Sequence, residues 1–202
     1  MQKIFKLQYQ IPLIVVIFVL ISIGISYTAV LYFSKQEVVT ANKKNVAERL
    51  NFLQGATGIF IRENQGEKAR KMYSSFSSEE DLEYLIAVDE NGRIIASNKF
   101  TDLDELWEDD KFGIPKNILS DVIEKNSVFI SYNKKTSMID GFTSLCRIEE
   151  APFAKLNCGF IFYRKNLKIH FKRIESDLFL QMLFTSIAIL IGTILLVIQW
   201  IF

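Results

Sequence analysis

The sequence predicts an α+β domain, one five-stranded antiparallel sheet with helices on its faces, entered by a long N-terminal helix and flanked by two transmembrane helices. Three observations carry this. Residues 11–33 hold 23 residues without a charge and residues 178–202 hold 25, each more than the roughly 20 helical residues that cross a hydrocarbon core of about 30 Å. Between them the apolar spacing changes from a helical period to strand-like alternation. Finally, Asn91-Gly92 joins two alternating runs in YLIAVDENGRIIASN, a pair that readily takes positive φ and closes a hairpin.

Taken in order, residues 1–10 carry Lys3 and Lys6 ahead of the first apolar run. That run is longer than the roughly 7 to 15 residues of a signal-peptide core and no small-x-small cleavage site follows, so it reads as an uncleaved anchor. Neither apolar run has the polar stripe of an amphipathic helix, which sets spans apart from buried core helices. The expected organisation is a cytoplasmic N-terminus at 1–10, a first span at 11–33, an outer domain at 34–177 and a second span at 178–202. Lys35, Lys43, Lys44, Arg164, Lys165, Lys168, Lys172 and Arg173 count the other way, but the positive-inside rule weakens for loops beyond about 60 residues.

No Pro or Gly interrupts residues 34–54, so the helix of the first span continues beyond it, to about residue 62. Val39, Val46, Leu53 and Phe60 recur every seven residues, with Leu50 and Ala56 widening the stripe. The stripe has two uses, packing on the domain's own sheet or forming a parallel seam with a second copy. A short helix is expected at 67–76, then strands at 82–89 and 93–97. With Asn91-Gly92 as the loop, Val88 opposes Ile95 and Glu90 opposes Arg93, an ion pair worth about 0.2 to 1 kcal/mol. TDLDELWEDDKFGIP reads as a loop with a short helix around Trp107. KNILSDVIEKN is amphipathic through Ile118, Val122 and Ile123. Strands follow at 127–132, 139–148 and 157–163, and RKNLKIHFKRIESD is a basic helix entering the second span.

A hairpin centred on Pro152 places Cys146 opposite Cys158. A cross-strand disulfide then fits, and would suit an oxidising compartment; two buried free thiols fit as well. The same pairing puts Phe142, Cys146, Ile148, Leu156, Cys158, Phe160 and Phe162 on one side, expected to pack on the long helix. Thr143, Leu145, Arg147, Ile161 and Tyr163 fall on the other, with the mixed composition of a ligand pocket. The candidate ligand-binding residues are therefore Arg147, Tyr163, Thr143, Tyr132 and Trp107. Arg147 suits bidentate capture of a carboxylate; its alternative is a solvent-facing arginine paired with Glu149 or Glu150. Trp107 and Tyr132 also read as structural aromatics, and Asp89 and Asp140-Gly141 as turn residues.

Several function classes are excluded. The chain has 24 Lys and Arg against 23 Asp and Glu, with no basic footprint for nucleic acid. CxxC spacing is absent and His170 is the single histidine, which argues against a metal site. No nucleophile elbow, P-loop or dinucleotide motif is present, and Glu79-Glu80 and Asp109-Asp110 fall in polar stretches. The expectation is no catalytic residue, no cofactor and no enzyme activity in this chain.

The long helix leaving the first span, the YLIAVDENGRIIASN hairpin, the SMIDGFTSLCRI and CGFIFYRKNL strands and the return to a second span together resemble the extracytoplasmic sensor regions of bacterial transmembrane receptors. The class is the single Cache or PAS-like one of sensor histidine kinases, diguanylate cyclases and chemoreceptors. The resemblance implies a PAS-like sheet with the long helix on one face and a small-molecule pocket on the other. It also implies a periplasmic domain in the inner membrane, a homodimer formed through the N-terminal helix, and signal transduction to a cytoplasmic output such as a two-component kinase. Residues 1–202 contain no such output, so the expectation is that a continuation of the chain or a partner supplies it. Two other readings stand beside this one: a two-span subunit whose outer domain recognises another protein, and an inward-facing loop whose RKNLKIHFKR helix binds anionic lipid.

Overall fold

The computed structural model describes residues 2–108, 116–146 and 158–201. They form two compact units, Val39–Ile169 and the pair of segments Met1–Val38 and His170–Phe202. Helix α1 runs unbroken over Gln2–Arg62, because no proline after its first turns removes a backbone donor and its glycines, Gly24, Gly55 and Gly58, each cost only about 1 kcal/mol. The last helix of the chain covers Lys168–Ile201. Both helices are long and apolar enough to cross a membrane. Side chains such as Phe18, Ile21, Phe184 and Ile191 are exposed, so these segments are not the core of the fold, as the buried-helix alternative would require.

The Val39–Ile169 unit is built on a sheet of β1 (Leu82–Val88), β2 (Ile94–Ser97), β3 (Phe129–Asn133), β4 (Met138–Cys146) and β5 (Cys158–Asn166). The order is β2-β1-β5-β4-β3 and every neighbouring pair is antiparallel. Helix α2 (Gly66–Ser74) precedes β1, α3 (Lys116–Lys125) precedes β3, and Lys168–Ile201 is α4. This is the expected α+β class, with a five-stranded antiparallel sheet and a long N-terminal helix.

The β1–β2 turn is longer than the two residues expected. Ile86 opposes Ser97 and Ala87 opposes Ala96, but Val88 opposes Ile94, one residue out of step. The extra residue is Ile95, between Ile94 and Ala96, and the turn beyond it is held by Asp89, whose Oδ1 accepts from the Asn91 and Arg93 amides while its own N–H donates to the Arg93 carbonyl. Gly92 takes φ +80° in this turn, a conformation open to glycine. The expected Val88–Ile95 and Glu90–Arg93 pairings are therefore not formed: a carboxylate that satisfies two turn amides at once outweighs an exposed ion pair.

The predicted helix around Trp107 is not formed among the described residues, and residues 109–115 of that stretch lie outside them. A single helical turn lies earlier, at Phe100–Asp102, and the chain near Trp107 is extended along β2. There Trp107 donates to the Gly92 carbonyl, Ile94 donates to Glu105, and Arg93 bridges to Leu106. Pairing with an otherwise open edge strand satisfies more backbone groups than a lone turn would.

The two faces of the sheet are exchanged relative to expectation. Phe142, Phe160 and Phe162 pack with Ile86, Val88, Ile94 and, from α3, Leu119 and Val122, not with the long helix. Helix α1 takes the other face, where a Cβ on Gly141 would lie 2.7 Å from Leu50 Cδ1 and 2.8 Å from Val46 Cγ1. A broad helix needs little side chain beneath it to seat, and Gly141 and Thr143 of β4 provide that; three phenylalanines need the smaller α3. Val46, Leu50, Leu53 and Thr57 of α1 are fully buried, about 1.5 to 3 kcal/mol for each apolar side chain. The apolar stripe thus packs on the domain's own sheet, leaving Phe52 and Ile59 exposed on the opposite side.

Candidate functional site

Helix α1 ends where its sequence stops supporting it, at Arg62-Glu63-Asn64. Asn64 takes φ 57°, its N–H donates to Ile61, and Gln65 donates back to the Phe60 carbonyl. This is a Schellman closure with asparagine in the left-handed position. Helix α2 starts two residues later and is fastened to the end of α1 by one buried contact, Thr57 Oγ1 to Tyr73 Oη at 3.0 Å. Burial raises the Tyr73 pKa well above the ordinary tyrosine value, against the lowering effect of Thr57. On its other side α2 holds β2, because Arg70 Nε donates to the Ile95 carbonyl at 3.2 Å and its guanidinium meets Asp104 Oδ1 at 3.2 Å.

These fastenings frame a cavity of about 350 Å³. One wall is the final turns of α1, Gly58, Ile61 and Arg62, and a second is Asn64, Gly66 and Arg70. Opposite them lie the hairpin turn at Asp89 and Glu90, and Ile95 of β2; the floor is Leu145, Cys146 and Gly159. Gly159 is required there, since a Cβ would stand 1.9 Å from the Val88 carbonyl oxygen. Cys146 and Cys158 are directly opposed and disulfide-bonded, closing the end of the β4–β5 ladder beside that floor.

Further along the same face, Arg49 Nη1 reaches both carboxylate oxygens of Glu79, at 2.8 and 2.6 Å, and Tyr163 Oη at 3.3 Å. Burial pushes the Tyr163 phenol up to about 12, only partly opposed by Arg49. Burial acts to lower the Arg49 pKa, but its bond to Glu79 and the neighbouring Tyr163 leave it above the ordinary arginine value. The node ties α1, the segment before β1 and β5 into one rigid frame.

The structure redistributes the sequence-derived candidates. Tyr163 and Thr143 are fully buried on the face that α1 covers, and the Thr143 hydroxyl has no hydrogen-bond partner among the described residues. Tyr132 sits on the edge strand opposite Ile139. Trp107 is on the reverse face, edge-on to Phe160 and Phe162 at 5.0 and 5.3 Å between ring centres. Among the described residues none of these four lines the cavity, so the expected grouping is not formed: the face read as an open pocket wall is the seat of α1. Leu145, from that same face, does line it. Arg147 lies outside the described residues; in the chain it follows Cys146. Arg62, Asn64, Asp89 and Glu90 were not singled out as site residues. The only sequence signal for them was the helix stop after Arg62 and the turn at Asn91-Gly92.

Two solved sensor domains are similar to this chain. One is the sensor domain of the V. cholerae histidine kinase DctB, at 13% identity and a TM-score of 0.40, covering 71% of this chain and 58% of that one. The other is the E. coli DcuS sensor domain, at 10% identity and a TM-score of 0.40, covering 67% of this chain and 98% of that one. The chain thus spans less than two thirds of the DctB structure it matches. No family model matches the sequence, and no curated protein matches it.

Proposed function

We propose that this chain is the ligand-sensing input module of a bacterial transmembrane signalling receptor, lodged in the inner membrane with its sheet domain outside. The observation that carries the reading is which elements meet at the cavity. Its first wall is the end of α1, the same helix that contains the first apolar segment. Its floor includes Gly159 of β5, and β5 runs through the Asn166 side chain, which caps the Lys168 amide, directly into α4 and the second apolar segment. An occupant therefore touches the two elements that lead to the membrane. A ligand biases such a pair only by its differential affinity for two arrangements, and about 1 to 3 kcal/mol suffices.

The disulfide Cys146–Cys158 supports an oxidising, extracytoplasmic location for the domain. Phe52 is 63% and Ile59 50% exposed on the outer face of α1, one heptad apart, which supports a homodimer through that helix. Binding, not catalysis, is the proposed role. The output, a kinase or cyclase, acts downstream of α4.

The test is thermal unfolding of the full chain in detergent against carboxylates, amino acids, amines, sugars and nucleobases. A compound that binds the native state adds about 2.7 kcal/mol at a hundredfold excess over its dissociation constant. Silence across the whole panel sinks the reading and favours recognition of a protein, for which Phe100, 87% exposed at the start of the helical turn Phe100–Asp102, is the first place to look.

A further inference from the structure

The cavity is lined by charges of both signs that, among the described residues, form no ion pair with one another. Arg62 and Arg70 stand on the α1–α2 side, Asp89 and Glu90 on the hairpin side. Arg70 is already engaged with Ile95 and Asp104. Arg62 forms no ion pair with the described residues, and neither do Asp89 and Glu90; Asp89 Oδ1 is taken up by the turn amides, which leaves Oδ2. Between the two sides the surface is apolar, from Ile61, Ile95 and Leu145.

Exposed opposite charges gain only about 0 to 1 kcal/mol by pairing, so the two sides can stay apart. Here each is held on a stiff element. Arg62 belongs to the last turn of a helix ended by a Schellman closure, and Asp89 belongs to a turn fixed by its own carboxylate. A purely anionic ligand would meet Asp89 and Glu90, and a purely cationic one would meet Arg62 and Arg70. A molecule with an anionic group at one end and an ammonium at the other satisfies both walls and covers the apolar middle. The volume, near the lower end of the roughly 300 to 1,000 Å³ of ligand sites, limits it to a small molecule.

Resting on the sensor reading above, we infer that the ligand of this cavity is a small zwitterion of the free amino-acid kind, its anionic group on Arg62 and its ammonium on Glu90 and Asp89. The site lies on the α1 face of the sheet, the reverse of the face on which the resemblance placed a pocket.

The experiment is isothermal titration of the full chain in detergent with each of the twenty common amino acids. For any that bind, the matching decarboxylated amine and deaminated acid follow, with a dicarboxylate, a sugar and a nucleobase as unlike probes. The expected result is one or more zwitterions bound, with either half-molecule at least tenfold weaker. Arg62→Gln should weaken the zwitterion and the acid about tenfold and leave the amine unchanged. Glu90→Gln and Asp89→Asn, which keeps the Oδ1 acceptor of the turn, should weaken the zwitterion and the amine and leave the acid unchanged. All three positions are partly or fully exposed, so unfolding midpoints without ligand should match the parent and serve as the folding control. A singly charged or neutral probe binding as tightly as any zwitterion overturns the ligand class while leaving the sensor reading standing, as do variants that leave zwitterion affinity within twofold. No binding by any probe overturns both.

Discussion

The buried pair Thr57–Tyr73 allows a quantitative test of how the end of α1 is held. Both residues are fully buried and their hydroxyls are 3.0 Å apart. Replacing Tyr73 by Phe removes one hydroxyl and leaves the Thr57 Oγ1 without that partner, a penalty of about 1 to 3 kcal/mol for an orphaned buried group. Thr57 is helical, however, and its hydroxyl can turn back to the carbonyl four residues earlier, so Tyr73→Phe should fall near the lower limit, about 1 kcal/mol. Thr57→Val strands the phenol, which has no such recourse, and should cost about 2 kcal/mol or more. The double variant removes both polar groups and should cost no more than the larger single change, giving a coupling of about 1 kcal/mol or more. For a domain of this size about 1 kcal/mol moves the midpoint by roughly 4 °C. Trp107, packed against Phe160 and Phe162, is the fluorescence reporter for unfolding of the full chain in detergent. Strict additivity of the two single changes would refute the hydrogen bond and with it this fastening of α1 to α2.

Gly159→Ala should be the most damaging single methyl in the sheet, because the new Cβ meets the Val88 carbonyl at 1.9 Å and the Asp89 backbone at 2.9 Å. The expected loss exceeds about 3 kcal/mol, at or beyond the usual overpacking range, whereas Gly141→Ala meets only side-chain ends of Leu50 and Val46 and should cost about 1 to 3 kcal/mol; comparing the two midpoints checks the order. Replacing Cys146 and Cys158 by Ser opens a loop of sequence separation 12 and should cost up to about 3 kcal/mol on a chain-entropy account; reductant should then lower the parent midpoint but not that of the variant. Alkaline stability follows from Tyr163, whose folded pKa of about 12 lies above its ordinary value of 10.0. Its contribution is complete below pH 10 and is lost as the pH rises through about 12. Midpoints measured from pH 8 to 11.5 should therefore fall above pH 10, and less steeply in Tyr163→Phe.

Local chemistry alone made much of this molecule legible in the sequence. Two long uncharged runs, a heptad stripe at Val39, Val46 and Leu53, alternation on either side of Asn91-Gly92 and the opposition of Cys146 to Cys158 all follow from periods of 2 and 3.6 and from chain symmetry about a turn. They were enough for the five strands, the fold class and the helices other than the one expected around Trp107. The tertiary structure decided which face of the sheet receives which helix. Alternation separates Phe142 from Thr143 but does not say which of them meets α1; that depends on the fit of Gly141 to Leu50 and Val46, a contact between residues far apart in the chain. The register slip at Val88 was hidden for a related reason, since Asp89 satisfies amides two and four residues ahead only once the turn has closed. The cavity was the least legible of all. Arg62, Glu90 and Leu145 are near no common motif in sequence, and they share a site because an asparagine ends α1 where a glycine lets β5 approach the hairpin.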